Sequence, residues 1–124
     1  MPSDSYYVGI DAGSVSLNAI VINQDKKIIY EAPYKRHMGK VAEEALRLIQ
    51  DLQERWGQER LLAVAFTGNH GQKISEQAGG FYEFETISQV LGALFLRPEA
   101  RTVISMGGQD TALFQIHHDS KGWE

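Results

Sequence analysis

The sequence predicts an α/β protein in which a mixed sheet is flanked by helices. Three apolar segments, at residues 6–11, 16–23 and 28–30, are joined by short turns, which is typical of an antiparallel meander. An amphipathic helix over residues 41–56 then precedes a further apolar segment at 61–67. A helix between two strands favours a right-handed crossover onto a parallel neighbour. The sheet is therefore expected to combine antiparallel and parallel pairs.

Composition and charge are those of an ordinary globular protein. Apolar residues make up 43% and charged residues 23% of the 124 positions, which is enough to build one core. The net charge of −4 argues against general nucleic-acid binding, which calls for a basic patch, and no apolar run approaches the ~20 residues of a membrane helix. The absence of cysteine excludes disulfides and thiol catalysis within the chain. Residues 1–5 lack the features of a signal peptide, so we expect a soluble, cytoplasmic protein.

The clearest helix is predicted over residues 41–56. Its apolar positions recur at helical spacing, and charged residues occupy the remaining surface. Gly57 follows where a left-handed cap is usual, and the basic segment 34–40 before the helix is predicted to be a loop. The apolar stripe, which we expect to face the core, consists of Val41, Ala45, Leu48, Ile49, Leu52 and Trp56.

The later elements are shorter. Residues 61–67 are apolar and too short for a helix, so they predict a buried strand that ends before Gly68. A second amphipathic helix is predicted from the apolar spacing of residues 87–95, before Pro98. We also expect a short helix at 71–77, a short strand at 81–84, a hairpin of strands 102–106 and 111–117, and a polar tail at 118–124.

The turn between the first two strands has the residues that a phosphate site requires. Gly13 lets the backbone approach a phosphate closely because it has no Cβ, and free N–H groups in such a turn form an anion-binding concavity. The Asp11 carboxylate, at the end of the first strand, can hold Mg²⁺ directly or through water. Ser14 and Ser16 either donate to phosphate or stabilise the turn. An ordinary hairpin turn is the alternative to this whole interpretation.

A second loop repeats the pattern. Gly107 and Gly108 follow an apolar strand, and Asp110 supplies a carboxylate. Two such loops indicate a clamp for the phosphates of one nucleotide, with a metal between Asp11 and Asp110; two unrelated hairpins are the alternative. Gln109 either orients an attacking water or caps the turn. Neither loop is a Walker P-loop, because no Gly-Lys-Ser/Thr follows.

A third loop, at residues 67–71, follows the strand at 61–67. Open α/β sheets place ligands at the carboxyl ends of their strands, so this loop is a candidate part of the site and His70 lies within it. The four histidines show no convincing metal-ligand spacing, and we expect His37, His117 and His118 on the surface.

Four segments carry a family resemblance. They read Gly-Ile-Asp-Ala-Gly-Ser-Val-Ser at 9–16, Thr-Gly-Asn-His-Gly at 67–71, Pro-Glu-Ala-Arg-Thr-Val-Ile at 98–104 and Gly-Gly-Gln-Asp at 107–110. In this order and spacing they resemble the N-terminal part of the BadF/BadG/BcrA/BcrD ATPase family, the ATP-dependent activators of 2-hydroxyacyl-CoA dehydratases and benzoyl-CoA reductases. The first segment alone indicates only the broader acetate and sugar kinase/Hsp70/actin superfamily, whereas the last two together are more specific.

The resemblance implies an actin-like ATPase fold, in which two ribonuclease H-like halves close over MgATP. It implies that residues 5–97 form the first subdomain and that residues 98–124 begin the second with its first hairpin. Asp11, Gln109 and Asp110 are the implied catalytic residues, and Asp11 and Asp110 are the implied metal ligands. The implied nucleotide-binding residues are Gly13, Ser14, Val15, Ser16, Thr67, Gly68, Gly107 and Gly108.

Two departures from the family pattern bear on these assignments. Family members usually carry Asp two residues before the double glycine, where this sequence has Ser105, which either weakens magnesium binding or leaves it to Asp110. The sequence also stops at Glu124, before the cysteine motif that holds the [4Fe-4S] cluster of the activators. The chain therefore looks like part of a longer protein. Alone, it cannot hold that cluster and is expected to lack appreciable ATPase activity.

Three functions remain open at this point. The first is the ATP-binding portion of an activator that drives electron transfer to a CoA-substrate dehydratase or reductase. The second is part of a sugar or acetate kinase-like phosphotransferase, which the Asp-x-Gly-Ser turn fits equally well and the Gly-Gly-Gln-Asp loop argues against. The third is a non-catalytic regulatory or interaction module. The expected partners are ATP or ADP and a second copy of the chain, the latter because exposed edges of the 101–117 hairpin favour pairing. Nucleic acid and membranes are not expected partners.

Overall fold

The computed structural model describes residues 4–106, 111–119 and 122–123. These residues fall into two compact units, of which the first ends at Glu83 and the second begins at Phe84. The subdomain boundary expected near residue 97 stays a prediction.

The first unit contains the predicted mixed sheet. Its strands are β1 (Tyr6–Ala12), β2 (Ser16–Asn23), β3 (Ile28–Glu31), β4 (Lys35–Arg36), β5 (Leu61–Thr67) and β6 (Phe81–Tyr82). They are arranged in the order β3-β2-β1-β5-β6, with β4 also paired to β2. The antiparallel pairs β1–β2 and β2–β3 form the predicted meander. The parallel pairs β1–β5 and β5–β6 confirm the predicted parallel neighbour, and the right hand of the crossover stays a prediction.

Strand β4 corrects the prediction of a loop over residues 34–40. It pairs antiparallel with the start of β2, where Ser16 lies opposite Arg36 and Leu17 opposite Lys35. Strand β3 pairs only with residues 20–22 of β2, so it leaves the first residues of β2 with an open edge. Strand β4 covers that edge and supplies the missing backbone partners.

Two helices accompany the sheet. Helix α1 (Val41–Trp56) has the predicted bounds. Gly57 ends it with a positive φ of 92°, but its ψ of 136° lies outside the left-handed helical region, so the predicted left-handed cap is wrong. Helix α2 (Gly71–Ala78) ends on Gly79, whose φ of 74° and ψ of 24° do form such a cap.

The core of the first unit lies between the sheet and α1. Strand β1 alternates strictly, so that every second side chain is buried, and Phe66 of β5 is only 1% exposed. The other side chains of β5 are half-buried or exposed, so the prediction of a buried strand is right about the strand and wrong about its burial. In the parallel β1–β5 pair, Asp11 lies opposite Thr67. The core consists of Tyr6, Val8, Ile10, Ala12, Leu17, Ala19, Val21, Val41, Ala45, Leu52, Phe66 and Ile74.

The second unit contains helix α3 and two strand pairs. The predicted helix at 87–95 is confirmed as part of α3 (Glu85–Leu96). Strands β7 (Thr102–Met106) and β8 (Thr111–Gln115) pair antiparallel, as predicted. The predicted polar tail is wrong in part, because β9 (His118–Asp119) pairs with β10 (Gly122–Trp123). Among the described residues, no helix combines the length and apolar character needed to cross a membrane.

Candidate functional site

The carboxyl ends of β1 and β5 lie side by side at one edge of the sheet. Because the two strands are parallel and Asp11 is paired with Thr67, the turn at residues 13–15 and the loop at residues 68–70 leave the sheet together. The N–H of His70 donates to the carbonyl of Ala12 at 2.9 Å and joins the two segments. Ligands of α/β sheets bind at this kind of edge.

Asp11 is the charged group at the centre of this edge. Within the described part of the chain, its Oδ1 atom is buried and has no hydrogen-bond partner. Burial raises the pKa of Asp11 above its ordinary value of 3.8, because desolvation disfavours the charged form. An unsatisfied buried oxygen destabilises a folded protein unless an ion or a water provides the missing partner. The side chain is therefore suited to receive a cation.

We expect Asp11 to destabilise the protein at neutral pH and to cease doing so in acid. Because its folded-state pKa is raised above 3.8, the folded protein holds this proton more tightly than the unfolded chain does. The stability linked to the protonated Asp11 is therefore fully present below pH 3.8 and is lost as the pH rises through the folded-state pKa. Urea unfolding of the wild type and Asp11→Asn between about pH 3 and pH 7 measures this. The advantage of the variant should shrink in acid, and a constant advantage would contradict the assignment.

The turn at residues 13–15 offers backbone donors next to this carboxylate. The Gly13 N–H donates to the Ser16 carbonyl at 3.0 Å and closes the turn. In the described residues, the N–H groups of Ser14 and Val15 have no protein acceptor. Adjacent free N–H groups of this kind form anion-binding sites. The Ser16 hydroxyl accepts a hydrogen bond from the Asn18 amide at 3.3 Å, and its own proton is left for another acceptor.

Gly68 is packed directly against Asp11. It has a φ of +92°, and a Cβ at this position would lie 2.5 Å from both Asp11 Oδ1 and the Ala12 carbonyl oxygen. No residue except glycine fits there without displacing the carboxylate or the strand. Its neighbour Thr67 donates its hydroxyl proton to the Glu83 carbonyl at 2.8 Å, so that hydroxyl anchors the loop and keeps only acceptor capacity for a ligand.

His37 was predicted on the surface, and that prediction is wrong. The residue is 5% exposed, its Nε2 lies 2.9 Å from the Gly13 carbonyl oxygen, and its ring meets the His70 ring edge to face at a centroid distance of 5.8 Å. No local pattern signals this burial, which follows from the pairing of β4, just before His37, with the start of β2. His117 is exposed, as predicted. The side chain of His118 is not among those that the structure describes, so its exposure stays a prediction.

The second glycine loop lies outside the described residues. The roles assigned to Gly107, Gly108, Gln109 and Asp110 therefore stay predictions, as does the clamp formed by the two loops. No group of three or more His, Cys, Asp or Glu side chains suited to a metal occurs in the parts of the chain that are described. Magnesium does not require such a group, since it is often bound through one or two carboxylates plus substrate phosphates.

A cavity of about 630 Å³ lies beside α1 and reaches Leu17 of β2. Its lining mixes apolar side chains such as Tyr30 and Leu48 with acidic and basic ones such as Asp51 and Arg47. None of the predicted site residues lines it, so the chemistry proposed below does not depend on this cavity.

The mixed sheet with its flanking helices is the actin-like, ribonuclease H-like fold of a group of ATPases, which confirms the predicted fold class. Within that class, the model of the BadF/BadG/BcrA/BcrD ATPase family matches residues 8–123. The chain belongs to this family.

The chain is also similar to a relative from an archaeon and to two solved structures. An uncharacterized protein of Methanocaldococcus jannaschii is 30% identical over 117 residues, which cover 92% of this chain and 44% of that protein. The (R)-2-hydroxyglutaryl-CoA dehydratase component A of Acidaminococcus fermentans is 26% identical, with a TM-score of 0.77 and coverage of 95% and 44%. The activator of the 2-hydroxyisocaproyl-CoA dehydratase of Clostridium difficile, with bound ADPNP, is 23% identical, with a TM-score of 0.72 and coverage of 90% and 41%. The chain spans less than half the length of each of these three proteins.

Proposed function

We propose that this chain binds MgATP at the carboxyl ends of β1 and β5. The observation that carries the proposal is the buried Asp11 Oδ1, which has no partner in the described residues and lies against the Gly13 turn and Gly68. A carboxylate without a partner beside free backbone N–H groups combines a cation ligand with an anion cradle. A magnesium nucleotide carries both complementary charges.

Each residue of this edge has a proposed role. Asp11 holds Mg²⁺ directly or through water, and the N–H groups of Ser14 and Val15 donate to phosphate oxygens. Gly13 and Gly68 keep the backbone close enough for these contacts. The Ser16 hydroxyl donates a hydrogen bond to the ligand, and the Thr67 hydroxyl oxygen accepts one. Bound Mg²⁺ supplies charge neutralisation of the phosphates. The proposed residues of the second loop are Gly107 and Gly108 for binding, with Gln109 and Asp110 for water and metal.

We further propose that this chain is the ATP-binding portion of an ATPase that activates a partner enzyme acting on a CoA substrate, through ATP-driven electron transfer. Membership of the family and the likeness to a dehydratase component and a dehydratase activator support this proposal over a sugar or acetate kinase activity. The sequence contains no cysteine, so these 124 residues do not fit the [4Fe-4S] cluster of the family by thiolate ligation. No part of the proposed site depends on that cluster. A homodimer also stays a proposal.

Calorimetric titration of the protein with MgATP tests the nucleotide site. We expect saturable binding, and we expect affinity to fall by about 100-fold or more when EDTA removes the magnesium, because the Asp11 charge then faces the phosphates without a cation between them. Titration with MgADP under the same conditions separates the contribution of the γ-phosphate. An absence of heat with MgATP, together with no protection against thermal unfolding, would refute the proposal.

A further inference from the structure

We infer that His37 is a positioning residue that holds the Gly13–Ser14 peptide with its N–H directed toward the nucleotide phosphates. The inference rests on the proposed function and adds a residue that touches neither nucleotide nor metal. The His37 side chain is 5% exposed and hydrogen-bonded at both ring nitrogens.

The hydrogen bonds of His37 fix which nitrogen carries the proton. The Gly39 N–H lies 3.1 Å from Nδ1, and a backbone N–H can only donate, so Nδ1 accepts. The ring is therefore neutral with its hydrogen on Nε2. That hydrogen is donated to the Gly13 carbonyl oxygen at 2.9 Å.

The Gly13 contact determines the direction of the next amide. No cis peptide occurs in the described chain, and in a trans peptide the carbonyl of one residue and the N–H of the next point to opposite sides. The Gly13 carbonyl is directed at His37, so the Ser14 N–H is directed away from it. This is one of the two amides of the turn that have no protein acceptor within the described residues. His37 thus presents a donor that it does not itself touch.

Neighbouring contacts make His37 a rigid support. Its own N–H donates to the Val15 carbonyl at 3.2 Å, so side chain and backbone hold two carbonyls of the same turn. Strand β4 just before it is fixed to Ser16 and Leu17, and its ring packs edge to face on His70. A glycine-containing turn has many alternative conformations, and holding its donors in place before the ligand arrives reduces the entropy lost on binding.

Two amide substitutions separate positioning from simple stabilisation. In His37→Gln the amide nitrogen can occupy the place of Nε2 and donate to Gly13, whereas in His37→Asn the shorter side chain can replace only Nδ1 and accept from Gly39. Each variant keeps one of the two bonds, so both should lose similar stability in urea unfolding. We expect MgATP affinity within about twofold of wild type for His37→Gln and about tenfold weaker for His37→Asn, the loss of about one oriented hydrogen bond.

Several outcomes would overturn the inference. Equal MgATP affinities for the two variants, whether both wild-type or both weakened, would show that the bond to Gly13 does not orient the Ser14 N–H. If Asp11→Ala still abolished MgATP binding in that case, the proposed function would stand and only the role of His37 would fall. Failure of the wild type to bind MgATP would refute both the proposed function and the positioning role of His37. Nitrogen-15 NMR of the wild-type imidazole gives a test that needs neither nucleotide nor variant. We expect a neutral ring protonated at Nε2, and a ring protonated at Nδ1 would contradict the geometry.

Discussion

Gly68→Ala is expected to destabilise the protein by about 3 kcal/mol or more and to abolish MgATP binding. The new Cβ would lie 2.5 Å from Asp11 Oδ1 and from the Ala12 carbonyl oxygen, and the φ of +92° is itself unfavourable for alanine. Either the carboxylate or the end of β1 must move, and both belong to the proposed magnesium site. Urea unfolding and calorimetry with MgATP measure the two effects.

Gly79→Ala is the matched control for this substitution. Gly79 also has a positive φ, of +74°, but a Cβ there would meet nothing within 4 Å. It should cost only about 1 kcal/mol, the backbone penalty alone, and leave nucleotide affinity unchanged. If the two variants were equally stable, the close approach of Gly68 to Asp11 would have no energetic significance.

Asp11→Asn is expected to weaken MgATP binding by about 100-fold while raising the free energy of unfolding of the nucleotide-free protein by about 1 kcal/mol. The affinity falls because a neutral amide attracts Mg²⁺ far less than a carboxylate does. The stability rises because the variant removes a buried charge that has no partner among the described residues. Opposite changes in stability and function are typical of groups retained for binding.

Asp25→Asn provides the control for charge removal. Asp25 is an exposed carboxylate in the turn after β2, so its loss changes the net charge equally without touching the site. Both stability and affinity should stay close to wild type. If Asp11→Asn bound MgATP as well as this control does, Asp11 would not be the magnesium ligand.

The parts of the fold that could be predicted are those encoded by local patterns. Helix α1 follows from its apolar spacing, and β5 from a short apolar segment between turn residues. The parallel pairing of β5 could be expected from helix α1 before it, since a helical crossover allows strands of one sheet to run parallel. The roles of Asp11 and the Gly13 turn stay predictions, which rest on residue types because phosphate and magnesium favour small residues and a carboxylate.

The parts that were missed depend on contacts between segments distant in the chain. The basic segment containing β4 has no apolar alternation, and it becomes a strand only because the start of β2 lacks a partner. His37 comes directly after β4 and contacts the Gly13 carbonyl oxygen. Nothing in the residues around His37 distinguishes it from a surface histidine. The ψ of Gly57 was missed for a similar reason, since a glycine after a helix permits more than one conformation.

The parallel pairing of β1 with β5 also has a consequence for the order in which the protein folds. The hairpin of β1 and β2 can form from neighbouring residues, but Asp11 and Gly68 meet only after α1 has carried the chain across the sheet. Closing that long segment is a slow, non-local step. Partly folded chains that have only the hairpin thus have the Gly13 turn without its complete surroundings. A nucleotide would then select the completed sheet and stabilise it by mass action.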